Sequence, residues 1–279
     1  MNAITYSLSG RLGNQLQLFS CARVLSLRYG WRFVYRPIIY AEQFNFPAIF
    51  SRSLQDKADL FLVDRVLALH YKVKPSASRR HRFMNTLLKP FRRVVYLDDS
   101  SWDETKGMMG KLGDEYRVMG DTLFVLRFDG IFRNFGKERE QLLKEILPSS
   151  ARVPLDPLEK CDVGIHVRQN DIHYGLPMLY YLNAVQEVKH ELGTPIRLHL
   201  FSDGDHESLA AGLSGGIPKV KVIIHKGNVV EDMMSLARYP TLILSQSWFS
   251  YWAAMLSHAA AVFVPPDFRY YPEWQPVSF

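Results

Sequence analysis

Short apolar runs alternate along this chain with segments of helical period. Ala3–Leu8 reads as a buried strand, and Asn14–Tyr29 as a helix closed by Gly30. Trp31–Arg36 reads as a strand, Leu54–Leu69 as a helix with Leu60, Val63 and Leu67 on one face, and Leu123–Phe128 as a strand. Lys137–Leu147 is a helix that Pro148 stops. The prolines and serines of Ser149–Pro157 mark a linker. Beyond it the alternation is cleaner. Strand Asp162–Val167 precedes helix Pro177–Leu192, with Pro177 suited to the first helical position and Gly193 to the C-cap. Strand Ile196–Phe201, helix Glu207–Leu213, strand Val220–Ile224 and helix Val230–Arg238 follow. Apolar strands alternating with helices predict an α/β chain with parallel sheets covered on both faces. Two such series predict two Rossmann-like domains facing a cleft, residues 1–150 and 151–279.

Thr241–Pro266 contains no Asp, Glu, Lys or Arg and is long enough to span a bilayer. Ser245, Gln246, Ser247, Ser250, Ser257 and His258 interrupt it, so a strand (Thr241–Leu244), a polar turn, a helix (Phe249–Ala259) and a strand (Ala261–Val264) are expected instead. Met1–Leu8 has no basic n-region, which predicts a cytoplasmic chain without a signal peptide or membrane span. With 279 residues, 47% hydrophobic and 22% charged, neither disorder nor a stapled scaffold is expected. Two cysteines, Cys21 and Cys161, are too few for a disulfide framework or a zinc site of their own; both are expected as buried thiols. The net charge of +6 favours anionic partners without choosing among them. Much of it lies in His70–Arg93, where Lys72, Lys74, Arg79, Arg80, Arg82, Lys89, Arg92 and Arg93 stand without an acidic residue. That stretch reads as a solvated face or as a peripheral contact for anionic membrane at 72–93. No motif supports nucleic acid.

Four segments carry candidate chemistry. Ser9-Gly10-Arg11-Leu12-Gly13-Asn14-Gln15 joins the first strand to the first helix, and its glycines suit a ligand at the helix N-terminus. It is not a dinucleotide fingerprint. Gly164-Ile165-His166-Val167-Arg168-Gln169-Asn170-Asp171 delivers His, Arg and Asp to the carboxyl edge of a strand, where parallel sheets bind ligands. An Arg there suits bidentate phosphate binding. His166, Asp171 and His173 match no standard metal spacing, so no metal is expected there. Ser202-Asp203-Gly204-Asp205 reads three ways: a divalent-metal pair, a helix cap, or a carboxylate meeting the edge of a purine. Ser245-Gln246-Ser247-Trp248-Phe249-Ser250 offers hydroxyls and free N–H groups at a helix start, a cap or a phosphate cradle.

In this order the motifs resemble the alpha-1,2-fucosyltransferases of glycosyltransferase family 11 and the wider alpha-1,2/alpha-1,6/protein-O-fucosyltransferase group. Gly10–Gln15 is similar to G-x-L-G-N-Q, Asp129-Gly130-Ile131-Phe132 to D-G-Y-F, and His166–Asp171 to H-x-R-R-G-D. Leu176–Tyr181 is similar to L-P-x-x-Y-Y, Phe201-Ser202-Asp203 to F-S-D, and Gln246–Ala254 to N-S-T-F-S-W-W-A-A. Gln169 stands where that pattern has its second Arg.

The resemblance implies a GT-B-like fold with an acceptor-side domain first and a donor domain second. It implies inverting transfer of L-fucose from GDP-fucose to a glycan hydroxyl, with neither cofactor nor metal. By it Arg168 holds the β-phosphate. Ser247, Phe249 and Ser250 hold the phosphates through hydroxyls and backbone amides. His166 and Asp203 face guanine, and Arg11 and Asn14 lie near the fucose. Asp171 is the motif's nearest carboxylate, either a base or a partner of an arginine. Two other classes fit the residues: a metal-dependent transferase of another nucleotide sugar using Asp203 and Asp205, and a nucleotide-sugar-binding module without turnover.

Overall fold

The computed structural model describes residues 1–44, 46, 53–71, 93–97, 122–127, 135–147, 158–170, 175–193 and 195–279. They form two compact units, Met1–Ile146 and Leu147–Phe279. The first is built on strands β1 (Ala3–Tyr6), β2 (Arg32–Phe33), β3 (Arg93–Leu97) and β4 (Thr122–Leu126), parallel in the order β2-β1-β4-β3. Every residue of β1 and β4 is buried, as the two-sided cover of a parallel sheet demands. Helix α1 (Leu12–Tyr29) follows β1 and ends at Gly30, whose φ of 65° lets its N–H reach Ser26 O. Helix α2 (Leu54–Tyr71) packs Leu60 and Val63 on Ala3, Val34, Val94, Leu123 and Val125. Helix α3 (Arg139–Ile146) is tied to α1 by Arg23, which grips both oxygens of Glu145 at 2.7 and 2.9 Å.

The second unit has six parallel strands: β5 (Asp162–Val167), β6 (Ile196–Ser202), β7 (Val220–Ile224), β8 (Thr241–Ile243), β9 (Ala261–Val264) and β10 (Gln275–Pro276). Their order is β10-β9-β8-β5-β6-β7, so the chain winds outward from β5 in one direction and then, from β8, in the other. This is the doubly wound arrangement whose strand order reverses between β5 and β8. Helices α4 (Met178–Leu192), α5 (His206–Gly216), α6 (Val229–Leu236) and α7 (Trp248–Leu256) make the crossovers. Val163, Ile165, Val167, Leu198 and Leu200 face one side, in a core with Tyr180, Val185, Leu209 and Leu213. Period-two alternation then places Asp162, Gly164 and His166 on the opposite side, beside Arg197, His199 and Phe201. Gly164 is needed there because a Cβ would lie 2.7 Å from the Tyr239 ring.

Several boundaries differ from the sequence expectation for identifiable reasons. The second strand pairs only through Arg32 and Phe33, opposite Ala3 and Ile4, and Pro37, which has no N–H to offer a ladder, lies beyond it. Pro177 is the N-cap of α4 rather than its first residue, with extended ψ of 149°. α5 runs past Leu213 to Gly216, whose missing side chain makes room for Leu182. Cys161 is only partly buried and donates to Glu159 Oε2 at 3.4 Å, while Cys21 is buried as expected. Strands β3 and β10 were not anticipated; β10 carries Pro276 at a sheet edge, where proline is tolerated. The charge-free run resolves into β8, a turn, α7 and β9. Among the described residues no helix is long and apolar enough to cross a membrane. Most of the basic stretch 72–93, the linker and the Asp129–Phe132 motif lie outside the described residues.

Candidate functional site

The β5/β8 switch point gathers most of the singled-out residues of the second unit. β5 ends with His166 and Val167 and releases Arg168; β8 is followed by Ser245 and by Ser247, the N-cap of α7. His166 is buried, and its Nδ1 lies 2.7 Å from both Ser245 Oγ and Ser250 Oγ. The three serines complete a ring: Ser245 to Ser250 at 2.8 Å, Ser247 to Ser250 at 2.9 Å, and Ser245 donating to Ser247 at 3.1 Å. Ser250 N–H also donates to Ser247 Oγ at 3.1 Å. Burial draws the His166 imidazole down to about 4, Arg168 adds to this and Asp203 opposes it, so the ring is neutral near pH 7. Phe249 lies with its centroid 4.7 Å from the His166 ring. Beneath them Tyr180 OH donates to Leu244 O at 2.7 Å, which gives the Leu176–Tyr181 motif a buried role in holding the end of β8.

The start of α7 is thus held rigidly. Its first turn has no acidic residue, and first-turn N–H groups of a helix favour an anion. Ser247 is a cap, and its hydroxyl is also one member of a buried polar network.

Arg168 leaves the sheet half-buried beside a second construction. Asp203 Oδ1 accepts the backbone N–H of Gln169 at 2.9 Å and of Asn170 at 3.3 Å, and Asn170 Nδ2 donates to Asp203 O. In the reverse direction Gln169 Oε1 accepts Asp205 N–H at 3.0 Å. Asp205 in turn caps α5, accepting from Glu207 N and Ser208 N at 3.1 and 3.3 Å. Both carboxylates of the Asp-x-Asp segment are therefore engaged by backbone N–H groups. The capping reading applies to Asp205; Asp203 clamps the loop that carries Arg168. Asp171 and His173 lie outside the described residues. Among the described residues no group of three His, Cys, Asp or Glu side chains is arranged to hold a metal.

Arg11 and Asn14 belong to the first unit. Arg11 is the exposed N-cap residue of α1, and Asn14 sits one turn on. Gly10 has φ of 72°, and a Cβ there would lie 2.7 Å from Asn14 Cβ. Gln15 Nε2 donates to Gly10 O at 3.0 Å while its Oε1 accepts Ile39 N–H at 2.9 Å, joining the loops after β1 and β2.

The long-range partners of three residues escaped the sequence reading. Ser245, Gln15 and Gln169 organise loops through partners distant in sequence. A polar chain also crosses the sheet face. Arg197 grips Asp162 at 2.6 and 2.8 Å, His199 Nε2 meets Asp162 at 3.1 Å, and His199 Nδ1 meets His225 Nε2 at 3.0 Å. His225 stacks on Phe201 at 4.5 Å. Burial would raise the Asp162 carboxyl, but Arg197, the Glu159 N–H and His199 outweigh it and hold the group at about 2. The alternation Arg197-x-His199-x-Phe201 opposite Asp162-x-Gly164-x-His166 is the pattern that carries this chain.

The two parallel-sheet units make an α/β chain of GT-B-like fold. Known structures show the same class. A mutant of Arabidopsis thaliana FUT1 in complex with GDP matches with a TM-score of 0.57 at 14% identity, over 96% of this chain and 71% of that one. The fucosyltransferase NodZ from Bradyrhizobium matches with a TM-score of 0.51 at 18% identity, over 92% of each chain. At these identities the likeness is one of fold. No model of a known protein family matches the chain, and neither does any curated protein sequence.

Proposed function

We propose that the chain is an inverting glycosyltransferase that moves L-fucose from GDP-fucose to a glycan hydroxyl, forming an alpha-1,2 linkage. The second unit is the donor side and the first the acceptor side. The observation that carries this reading is that β5, which releases Arg168, and β8, which leads into the Ser247-capped α7, are neighbours at the switch point, with His166 Nδ1 2.7 Å from Ser250 Oγ. Fucosyltransferases of the same fold, one of them holding GDP, support it.

As the glycosidic bond to GDP lengthens, negative charge grows on the diphosphate. The Arg168 fork and the first-turn N–H groups of α7 are fixed donors for that charge. Neutral His166 holds Ser245 and Ser250 in place, and so aims the helix start. Transfer passes through an oxocarbenium-like state, for which leaving-group stabilisation supplies much of the acceleration. Arg11 and Asn14 of the first unit are proposed on the sugar side, with Asp171 the candidate base or arginine partner. The deciding experiment is a donor screen. GDP-fucose is expected to turn over and GDP to bind more tightly than UDP. Turnover with a UDP-sugar alone, or turnover abolished by EDTA, would replace this reading with a metal-dependent one.

A further inference from the structure

Among the described residues only Tyr40 and Lys219 have positive φ without being glycine, at 58° and 62°. Lys219 follows Pro218 in the turn before β7, where Lys189 Nζ donates to the Pro218 carbonyl at 2.6 Å. Tyr40 stands differently. It is the third residue of a turn closed by Ala41 N–H donating to Ile38 O at 3.1 Å, and its ψ is 28°. Glycine or asparagine fits that position, and a bulky ring there strains the backbone. Packing does not compensate. Tyr40 is 42% exposed and makes no ring contact or side-chain hydrogen bond among the described residues. Ile39 beside it and Leu8 on the loop after β1 are exposed to a similar degree.

The two loops are one construction, because Gln15 holds the Gly10 carbonyl with one end of its amide and the Ile39 N–H with the other. Both leave the carboxyl ends of adjacent parallel strands, the edge where such sheets bind ligands. The turn is therefore strained and clamped from α1, and it carries the exposed Tyr40 with the exposed Ile39 next to it in the chain, while Leu8 is exposed on the loop joined to it through Gln15. Strained backbone of this kind clusters at ligand sites. Charged groups stand nearby in the chain: Arg11 at the start of α1, and Arg36, four residues before Tyr40, paired with the exposed Asp64 at 2.6 Å.

We propose that Tyr40, with Ile39 beside it in the chain and Leu8 exposed on the neighbouring loop, is a stacking platform for one pyranose ring of the glycan acceptor. This rests on the glycosyl-transfer reading. A hexopyranose presents an apolar C–H face to an aromatic ring and keeps its hydroxyls at the rim for polar groups. One exposed aromatic ring is matched in size to one sugar ring and is far below the area a stable protein partner buries.

The test is saturation-transfer NMR with methyl β-galactoside, β-glucoside, N-acetyl-β-glucosaminide and α-mannoside at millimolar concentration, on the wild type, Tyr40→Phe and Tyr40→Gly. At least one glycoside is expected to be saturated by the wild type and Tyr40→Phe, and to lose fivefold or more of that signal in Tyr40→Gly. Tyr40→Gly relieves the backbone strain, so its melting temperature is expected to match or exceed the wild type, which separates a lost platform from a lost fold. A full signal in Tyr40→Gly, or no saturation of any glycoside by the wild type, overturns the proposal. GDP calorimetry on the same samples tests the donor reading separately: absent GDP binding sinks that reading alone, while the glycoside signal still decides the platform.

Discussion

Gln169 Oε1 accepts the backbone N–H of Asp205 at 3.0 Å, which gives a physical reason for a neutral side chain immediately after Arg168. The amide lies over Gly204, where a Cβ would fall 2.0 Å from Oε1 and 2.6 Å from Gln169 Cβ. An arginine has no acceptor to offer that N–H. The missing second Arg of the resembling motif is thus replaced by a hydrogen bond between two loops.

Gln169→Ala is expected to cost about 1 kcal/mol through the lost hydrogen bond. Gln169→Arg is expected to be at least as destabilising, despite restoring the motif, since it crowds Gly204 and leaves Asp205 N–H without its acceptor. Urea midpoints measure both. A Gln169→Arg protein as stable as the wild type would remove the clamp.

Gly204→Ala tests the same contact from the other side. Its methyl group displaces the Gln169 side chain, so the two substitutions act on one interaction and their effects should not add. A double-mutant cycle is expected to show a coupling of roughly 1 kcal/mol between Gly204→Ala and Gln169→Ala. Strict additivity would mean that Gly204 is free of Gln169 in solution.

His166 predicts a pH dependence with a defined sign. Its folded pKa of about 4 lies below its ordinary value of 6.5, because burial disfavours the imidazolium. The unfolded chain therefore binds the proton first. The stabilisation from neutral His166 is fully present above pH 6.5 and is lost as pH falls from there through about 4. The loss is on the order of 3 kcal/mol. Asp162, held at about 2, contributes its loss at lower pH, so the two windows separate. Denaturation midpoints between pH 7.5 and 4 should fall steeply for the wild type and less steeply for His166→Gln. Equal slopes would mean that burial does not lower the His166 pKa in the fold.

The doubly wound unit was legible because its strands are buried on both faces and read as short apolar runs. Gly193 ends α4 in the left-handed region its position called for. The Ser247 cap was legible for the same local reason. The clamps were not. Gln15 meets a backbone group 24 residues away and Gln169 one 36 residues away, and nothing around either glutamine in the sequence marks those partners. β3 was hidden by its context, since Val94, Val95 and Leu97 directly follow a long basic run. The burial of His166 was the least legible feature: its position at a strand's end pointed to the ligand, while the partner that buries it, Ser245, follows a strand on the far side of three crossovers.

Arg168 is the residue on which the proposed chemistry most depends. It leaves β5 at the switch point, on a loop that Asp203 and Gln169 hold from both directions. Arg168→Ala leaves those bonds in place, because they run from the backbone and side chains of Gln169 and Asn170. Stability should therefore change little, while transfer from GDP-fucose should slow by a hundredfold or more, as expected for losing about 3 kcal/mol of leaving-group stabilisation. Arg168→Lys is expected to recover only part of this, since an ammonium cannot make the paired contacts of the guanidinium fork. kcat/KM and a thermal melt on each variant give the answer. A folded Arg168→Ala enzyme with near-normal turnover would take Arg168 out of the mechanism, and a variant that unfolds would make it an internal partner of the loop instead.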